Sequence, residues 1–170
     1  AKLNNLKQAA KTMNFLTEHG ISSYGELESK LTVVSARRDT AHAEIKRIES
    51  RSAELALVMK HAGTYRQLKP LYDRYRRSND KEKFLRGHES EIILFEAVSR
   101  ELKRLGAVPL PTTESMKTEL ANLNAEKERL LAEYKTARTE AQEYDTVKQN
   151  VDALLAVPKE QEQQRRHELE

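Results

Sequence analysis

The chain has 170 residues, of which 34% are charged and 38% apolar, with no Cys, no Trp, five Gly and four Pro. Such a balance leaves too little apolar matter for one large round core and favours narrow seams between long helices. Absent cysteine excludes disulfides and thiolate chemistry, and no apolar run approaches the roughly 18 residues of a membrane span.

No secretory leader is visible, which fits a cytoplasmic protein. The start at Ala1 and the closing Leu169-Glu170 read as marks of a segment cut from a longer protein. The net charge of +3 is uneven. Between Lys60 and His88, nine Lys and Arg stand against Asp73, Asp80 and Glu82, a local excess of +6 that leaves −3 for the rest.

In chain order, residues 1–20 predict a short helix ended by Gly20, with Leu3, Leu6, Met13 and Leu16 laid against the open end of the long helices. Residues 22–62 predict the first of these. Ser22 or Ser23 offers its N-cap, Gly25 falls in its opening turn, and no further Gly or Pro occurs before Gly63. Tyr24, Leu27, Leu31, Val34, Arg38, Ala41, Ile45, Ile48, Ser52, Leu55, Met59 and Ala62 recur in strictly alternating steps of three and four. That is the coiled-coil repeat, broken in character only by Arg38 and Ser52.

Residues 63–111 differ in kind. They hold Tyr65, Tyr72, Tyr75, Phe84 and Phe95, five of the nine Phe and Tyr, and are punctuated by Gly63, Pro70, Gly87, Gly106, Pro109 and Pro111. Short helices near 64–77, 80–86 and 88–105 are expected to form a small basic head. Its core would be Leu68, Leu71, Phe84, Leu85, Ile92, Ile93, Phe95, Val98, Leu102 and Leu105. Residues 112–157 predict the second long helix, N-capped by Thr112 or Thr113. Its seam is Met116, Leu120, Leu123, Lys127, Leu130, Tyr134, Ala137, Ala141, Tyr144, Lys148, Val151 and Leu155. After Pro158, residues 158–170 read as a polar, disordered tail.

The economical fold is all-α: a long antiparallel helical hairpin, or coiled-coil stalk, with the head inserted between its two helices. Facing residue numbers should then sum to a constant near 175 or 182. The value 175 is preferred, since it sets Ile45 against Leu130, Leu55 against Leu120, and small Ala41 against large Tyr134. A homodimer that uses one seam between molecules is the alternative. Lys127, Lys148 and Arg38, polar residues at seam positions, are read as register-setting.

No catalytic constellation emerges. His19, His42, His61, His88 and His167 lack ligand spacing, and "RGHESE" places only Glu89 and Glu91 beside His88, which is read as capping the next helix. There is no glycine-rich phosphate loop and no nucleophile elbow. No metal or cofactor is expected, and this segment does not read as an enzyme. The basic head is the candidate site. Arg66, Lys69, Arg74, Arg76, Arg77, Lys81, Lys83 and Arg86 suit phosphate contacts with a DNA backbone, and Tyr72 and Tyr75 suit base stacking if exposed. The plainer reading puts the tyrosines half in the core beneath solvated arginine stems; an acidic protein partner also fits the charge.

"MNFLTEHGISSYGELESKL", the "KFLRGHESEIILFEAV" block, the "LPT" turn before the last helix, "LLAEYKTAR" and "VKQNVDALL" together resemble the C-terminal helical region of relaxases. These are the mobilisation nucleases of conjugative and mobilisable elements of Gram-positive bacteria, and the resemblance covers nearly the whole chain. It implies a role in conjugative DNA transfer, with DNA and accessory or coupling proteins of the transfer machinery as partners. The family's nuclease domain, with its tyrosine nucleophile and histidine-bound metal, has no counterpart in these residues.

Overall fold

The computed structural model describes the backbone of residues 2–167 and the side chains of residues 4–156. It is all-α. The helices are α1 (Lys2–Glu18), α2 (Tyr24–Arg77), α3 (Lys81–Arg104) and α4 (Thr113–His167), and no strand occurs among the described residues. Helices α2 and α4 contact each other antiparallel as a hairpin, with α3 between them in the chain.

The ends follow local chemistry. Gly20, at φ 61°, lets the chain leave α1 in the left-handed region. Ser23 caps α2: its hydroxyl accepts from the Glu26 N–H (3.2 Å), while the Glu26 carboxylate accepts from the Ser22 N–H (2.7 Å) and hydroxyl (2.9 Å). The pattern is a capping box shifted by one residue, since the carboxylate takes the donors of Ser22 rather than the Ser23 N–H, and those donors hold Glu26 below its usual pKa. Thr112 caps α4 by accepting from the Ser115 N–H at 3.1 Å.

One compact unit comprises Ala1–Glu44 and Arg129–Glu170. Its core is Leu27, Val34, Ala141, Tyr144 and Val147, with Phe15, Leu16, Ile21, Leu31 and Val151 packed around them. The second unit, Ile45–Glu128, is built on Leu55, Val58, Ala62, Val98, Leu102, Ala107 and Met116, with Leu120 and Leu123 against them. Each is a three-helix packing: α1 with parts of α2 and α4 in the first, α3 with the other parts of α2 and α4 in the second.

Most buried residues of α2 and α4 are seam positions, from Leu27, Ala41 and Ile48 on one helix to Met116, Ala137 and Tyr144 on the other. At the seam ends, Tyr24 and Leu155 are exposed, 36% and 58%, against expectation. Contacts across the hairpin favour the register near 175. Tyr24–Asp152, His42–Tyr134 and Glu49–Lys127 each add to 176. Leu55 and Leu120 share a cluster as that register requires. Both seam lysines take part. Lys127 reaches across to Glu49 at 3.1 Å. Lys148 pairs along its own helix with Asp152 at 3.1 Å and lies 5.5 Å from the centroid of the facing Tyr24 ring. Tyr24 donates to Asp152 at 2.6 Å and closes that set. The hydrogen bond with Tyr24, then that with Asp152, raises the Lys148 pKa. Arg38 instead pairs with its neighbour Asp39, at 2.8 Å.

Several expected boundaries and faces are corrected. Helix α2 does not stop at residue 62 but passes Gly63 and Pro70 to Arg77. Proline there removes one helical N–H and glycine costs about 1 kcal/mol, yet Ala62 and Tyr65 pack into the core on either side of Gly63. The expected helices at 80–86 and 88–105 are two arms of α3 joined at a kink, where His88 has φ −140° and ψ 25°. The second arm ends at Arg104, with Gly106 at φ 67°. Helix α4 carries on past Pro158 to His167, so the tail expected at 158–170 begins with helix; residues 168–170 lie outside the described residues.

Leu16 packs inward as expected, but Leu6 and Met13 are 70% and 59% exposed, because α1 turns Thr12 and Phe15 inward in their place. Thr12 is buried and accepts from Asn150 Nδ2 at 3.2 Å, which anchors a polar position that hydrophobic patterning passes over. Leu3 lies outside the described side chains. Ile93 is 55% exposed, whereas Ile92, Phe95, Val98 and Leu102 form the inward stripe of α3 at helical spacing.

Truncating either core is expected to cost about 2–5 kcal/mol: Leu27→Ala in the first unit and Leu102→Ala in the second, read by chemical denaturation followed by circular dichroism. Acid should also destabilise the chain through the cross-hairpin pairs. Glu49 is held below the usual carboxylate range by hydrogen bonds from Lys127 and then Lys46, and Asp152 by Tyr24 and then Lys148. A lowered folded-state pKa stabilises above the unfolded value and loses that stabilisation as pH falls through the folded value. The melting temperature should therefore drop below about pH 4, and the drop should shrink in Glu49→Gln with Asp152→Asn.

Candidate functional site

The basic segment folds into a corner of the second unit. Arg74, Arg76 and Arg77 occupy the last turn of α2, where cations complement the negative end of the helix dipole. A three-residue turn follows. The Ser78 N–H donates to the Tyr75 carbonyl at 3.2 Å, and the Ser78 hydroxyl donates to the Asp80 carbonyl at 3.1 Å. Asp80 caps α3 by accepting from the Lys83 N–H at 3.0 Å. Lys81 and Lys83 then stand in the first turn of α3, at its positive end, where nothing in the helix itself favours them.

The eight predicted cations divide into two groups. Arg66 has a structural use, donating to the Pro111 carbonyl (2.7 Å) and the Thr113 hydroxyl (2.9 Å) and so tying α2 to the entry of α4. Lys69 pairs with Asp73 at 3.0 Å, which raises its pKa, and Arg86 pairs with Glu82 at 3.3 Å. The remaining five, Arg74, Arg76, Arg77, Lys81 and Lys83, make no side-chain hydrogen bond or ion pair among the described residues. All five are exposed. Arg74 and Arg77 line a shallow groove with Lys69 and Asp73.

Tyr72 and Tyr75 are half-buried and engaged within the protein. The Tyr72 ring stacks on Phe95 (centroids 4.3 Å, planes at 24°) and lies 5.9 Å from Tyr75, which in turn lies 6.1 Å from Phe84. Phe84 continues the row to His88 at 4.8 Å. The tyrosines are thus the half-core residues of the plainer reading, and the arginines are the face above them. His88 contacts Glu91 at 2.8 Å, a cap-to-third-residue contact at the start of the second arm of α3. No group of three or more His, Asp or Glu is placed to hold a metal among the described residues.

Sequence reasoning missed Arg100 and Lys103. They stand on the α3 stripe that also carries Glu96 and Ser99, and they line a cleft with Tyr65, Tyr72 and Phe95. The visible signal is their i, i+3 spacing, one turn and two turns beyond Phe95–Glu96. What hid it was position: these cations lie outside the run at 60–88, in a segment whose apolar density reads as core.

Comparison with protein-family models, curated proteins and solved structures returns no match.

Arg66→Ala is expected to lower stability by about 1 kcal/mol, the size of an exposed hydrogen-bonded pair, through lost anchoring of residues 111–113. Thermal melting measures that loss, and any nucleic-acid affinity should change less than it does on truncating Arg74, Arg76 and Arg77.

Proposed function

We propose that this chain is a non-catalytic helical module that holds a nucleic-acid backbone at the corner formed by Arg74, Arg76, Arg77, Lys81 and Lys83. The observation that carries the reading is that these five cations cluster around one turn, exposed and without acidic partners, whereas acids elsewhere are paired across or along the helices. Unpaired cations of this density lower the cost of bringing phosphates close and release condensed counterions when they do. The contact is to backbone and carries no base information. Together with the relaxase resemblance, it supports a role among the DNA-positioning parts of a conjugative transfer protein, where accessory or coupling proteins would meet it.

One observation favours a second reading, a structural spacer without nucleic-acid contact. Arg74, Arg76 and Arg77 already satisfy the end of α2 electrostatically, so they have a use without any ligand.

The triple variant Arg74→Ala, Arg76→Ala, Arg77→Ala separates the two. Under the first reading, the wild-type chain binds a short duplex at low salt, and log affinity falls linearly with log salt. The triple variant should flatten that slope by about 2–3, near 0.9 per lost phosphate contact, at unchanged helicity. Absence of wild-type binding at low salt leaves the spacer.

A further inference from the structure

Next to the corner, and within the same unit, α2, α3 and the segment leading to α4 enclose an open cleft of about 510 Å³. That volume lies in the range of small-ligand sites. Its construction is specific. Tyr65 and Tyr72 stand seven residues apart on α2, about 10 Å along the helix, and Phe95 of α3 stacks with both, at 4.9 Å and 4.3 Å. The phenylalanine lies between the two tyrosines, Tyr75 follows beyond Tyr72 at 5.9 Å, and the Tyr65, Phe95 and Tyr72 rings all line the cleft. Neither phenol makes a hydrogen bond among the described residues.

The rim adds charge. Arg100 and Lys103 line the same cleft, both exposed and without an ion pair among the described residues, whereas the adjacent Arg104 is held by Glu101 at 2.9 Å. Glu96 is the one carboxylate of the lining and can accept from an exocyclic amino group; Val108, 59% exposed, closes the far side with an apolar surface. An apolar, aromatic-walled cavity with two free cations at its edge matches a planar ring joined to an anion. Along α2, Arg76 follows Tyr72 by one turn, on the same face, so the cleft leads toward the basic corner.

We propose that this cleft takes a base of a single-stranded nucleic acid against its Tyr65, Phe95 and Tyr72 wall, with Arg100 and Lys103 holding the flanking phosphate. The inference rests on the backbone-contact reading of the corner and adds strandedness to it: a duplex hides its bases, so only a single strand can use both surfaces.

Fluorescence anisotropy on the whole chain at low salt tests it with three labelled probes of equal length: an oligodeoxycytidine, a strand of abasic sugar-phosphates and a duplex. The base-bearing strand should bind about tenfold more tightly than the abasic strand, the effect of about one stacked base. Arg100→Ala with Lys103→Ala, both at exposed positions, should weaken the base-bearing and abasic strands alike and leave the duplex unchanged. Tyr72→Leu should bring the base-bearing strand down to the abasic level while circular dichroism reports retained helicity. Equal wild-type affinity for the two strands, full base preference in the Tyr72 variant, or unchanged single-strand affinity in the Arg100/Lys103 variant overturns the cleft and leaves the corner standing. Failure of all three probes to bind overturns both.

Discussion

The structure depends on one constraint: the alternating three-and-four spacing of apolar residues on α2 and α4, which makes each helix unstable alone and stable against the other. Chains this polar bury little, so the few apolar residues must meet in register. Pins at the seam supply that register. Lys127 with Glu49, and Tyr24 with Lys148 and Asp152, meet only when facing numbers add to about 176; a slip of one heptad would leave each of them opposite the wrong residue. These pairs are solvent-accessible and individually weak, so their use is to reject wrong alignments more than to add stability.

A third helix in each unit converts a two-helix seam into a core. Val58 and Val147 are buried although they sit one position off the coiled-coil seam, because α3 covers the first and α1 covers the second. The same covering explains why α2 survives Gly63 and Pro70. Packing on both sides of a weak point outweighs the lost hydrogen bond and the backbone entropy that either residue brings. Helix propensity alone would break the helix there; tertiary contact does not allow it.

The head illustrates how one stretch of sequence serves two ends. Its aromatic residues form a row from Tyr65 through Phe95, Tyr72, Tyr75 and Phe84 to His88, which stiffens the turn between α2 and α3. The backbone that carries the interleaved cations is held in the ends of α2 and α3, and five of the eight are left without acids to pair with. A flexible loop of the same composition would have to lose conformational entropy on meeting a ligand; this corner has already lost it.

The all-α class, the two seams, their preferred register and the capping residues were legible in the amino-acid order, since periodicity and N-caps are local properties. The six expected helices proved to be four, because α2 runs through Gly63 and Pro70 and α3 through its kink at His88. Ser23 and Thr112 act as caps because a hydroxyl three residues before an N–H can reach it wherever the helix lies. The buried stripe of α3 (Ile92, Phe95, Val98, Leu102) and Leu16 of α1 were legible, but the rest of the α1 face and the exposure of Ile93 were not. Leu6, Met13 and Ile93 are as apolar as the residues that are buried, and only the neighbours actually present decide that these three face out while Thr12 and Phe15 turn inward. For the candidate site the division is the same. The order of residues suffices to concentrate positive charge between positions 60 and 88. It does not suffice to say which cations are consumed by Pro111, Thr113, Asp73 and Glu82, or that Arg100 and Lys103 join the tyrosines. Folding settles those points, because charge is a property of a residue whereas a partner is a property of its place.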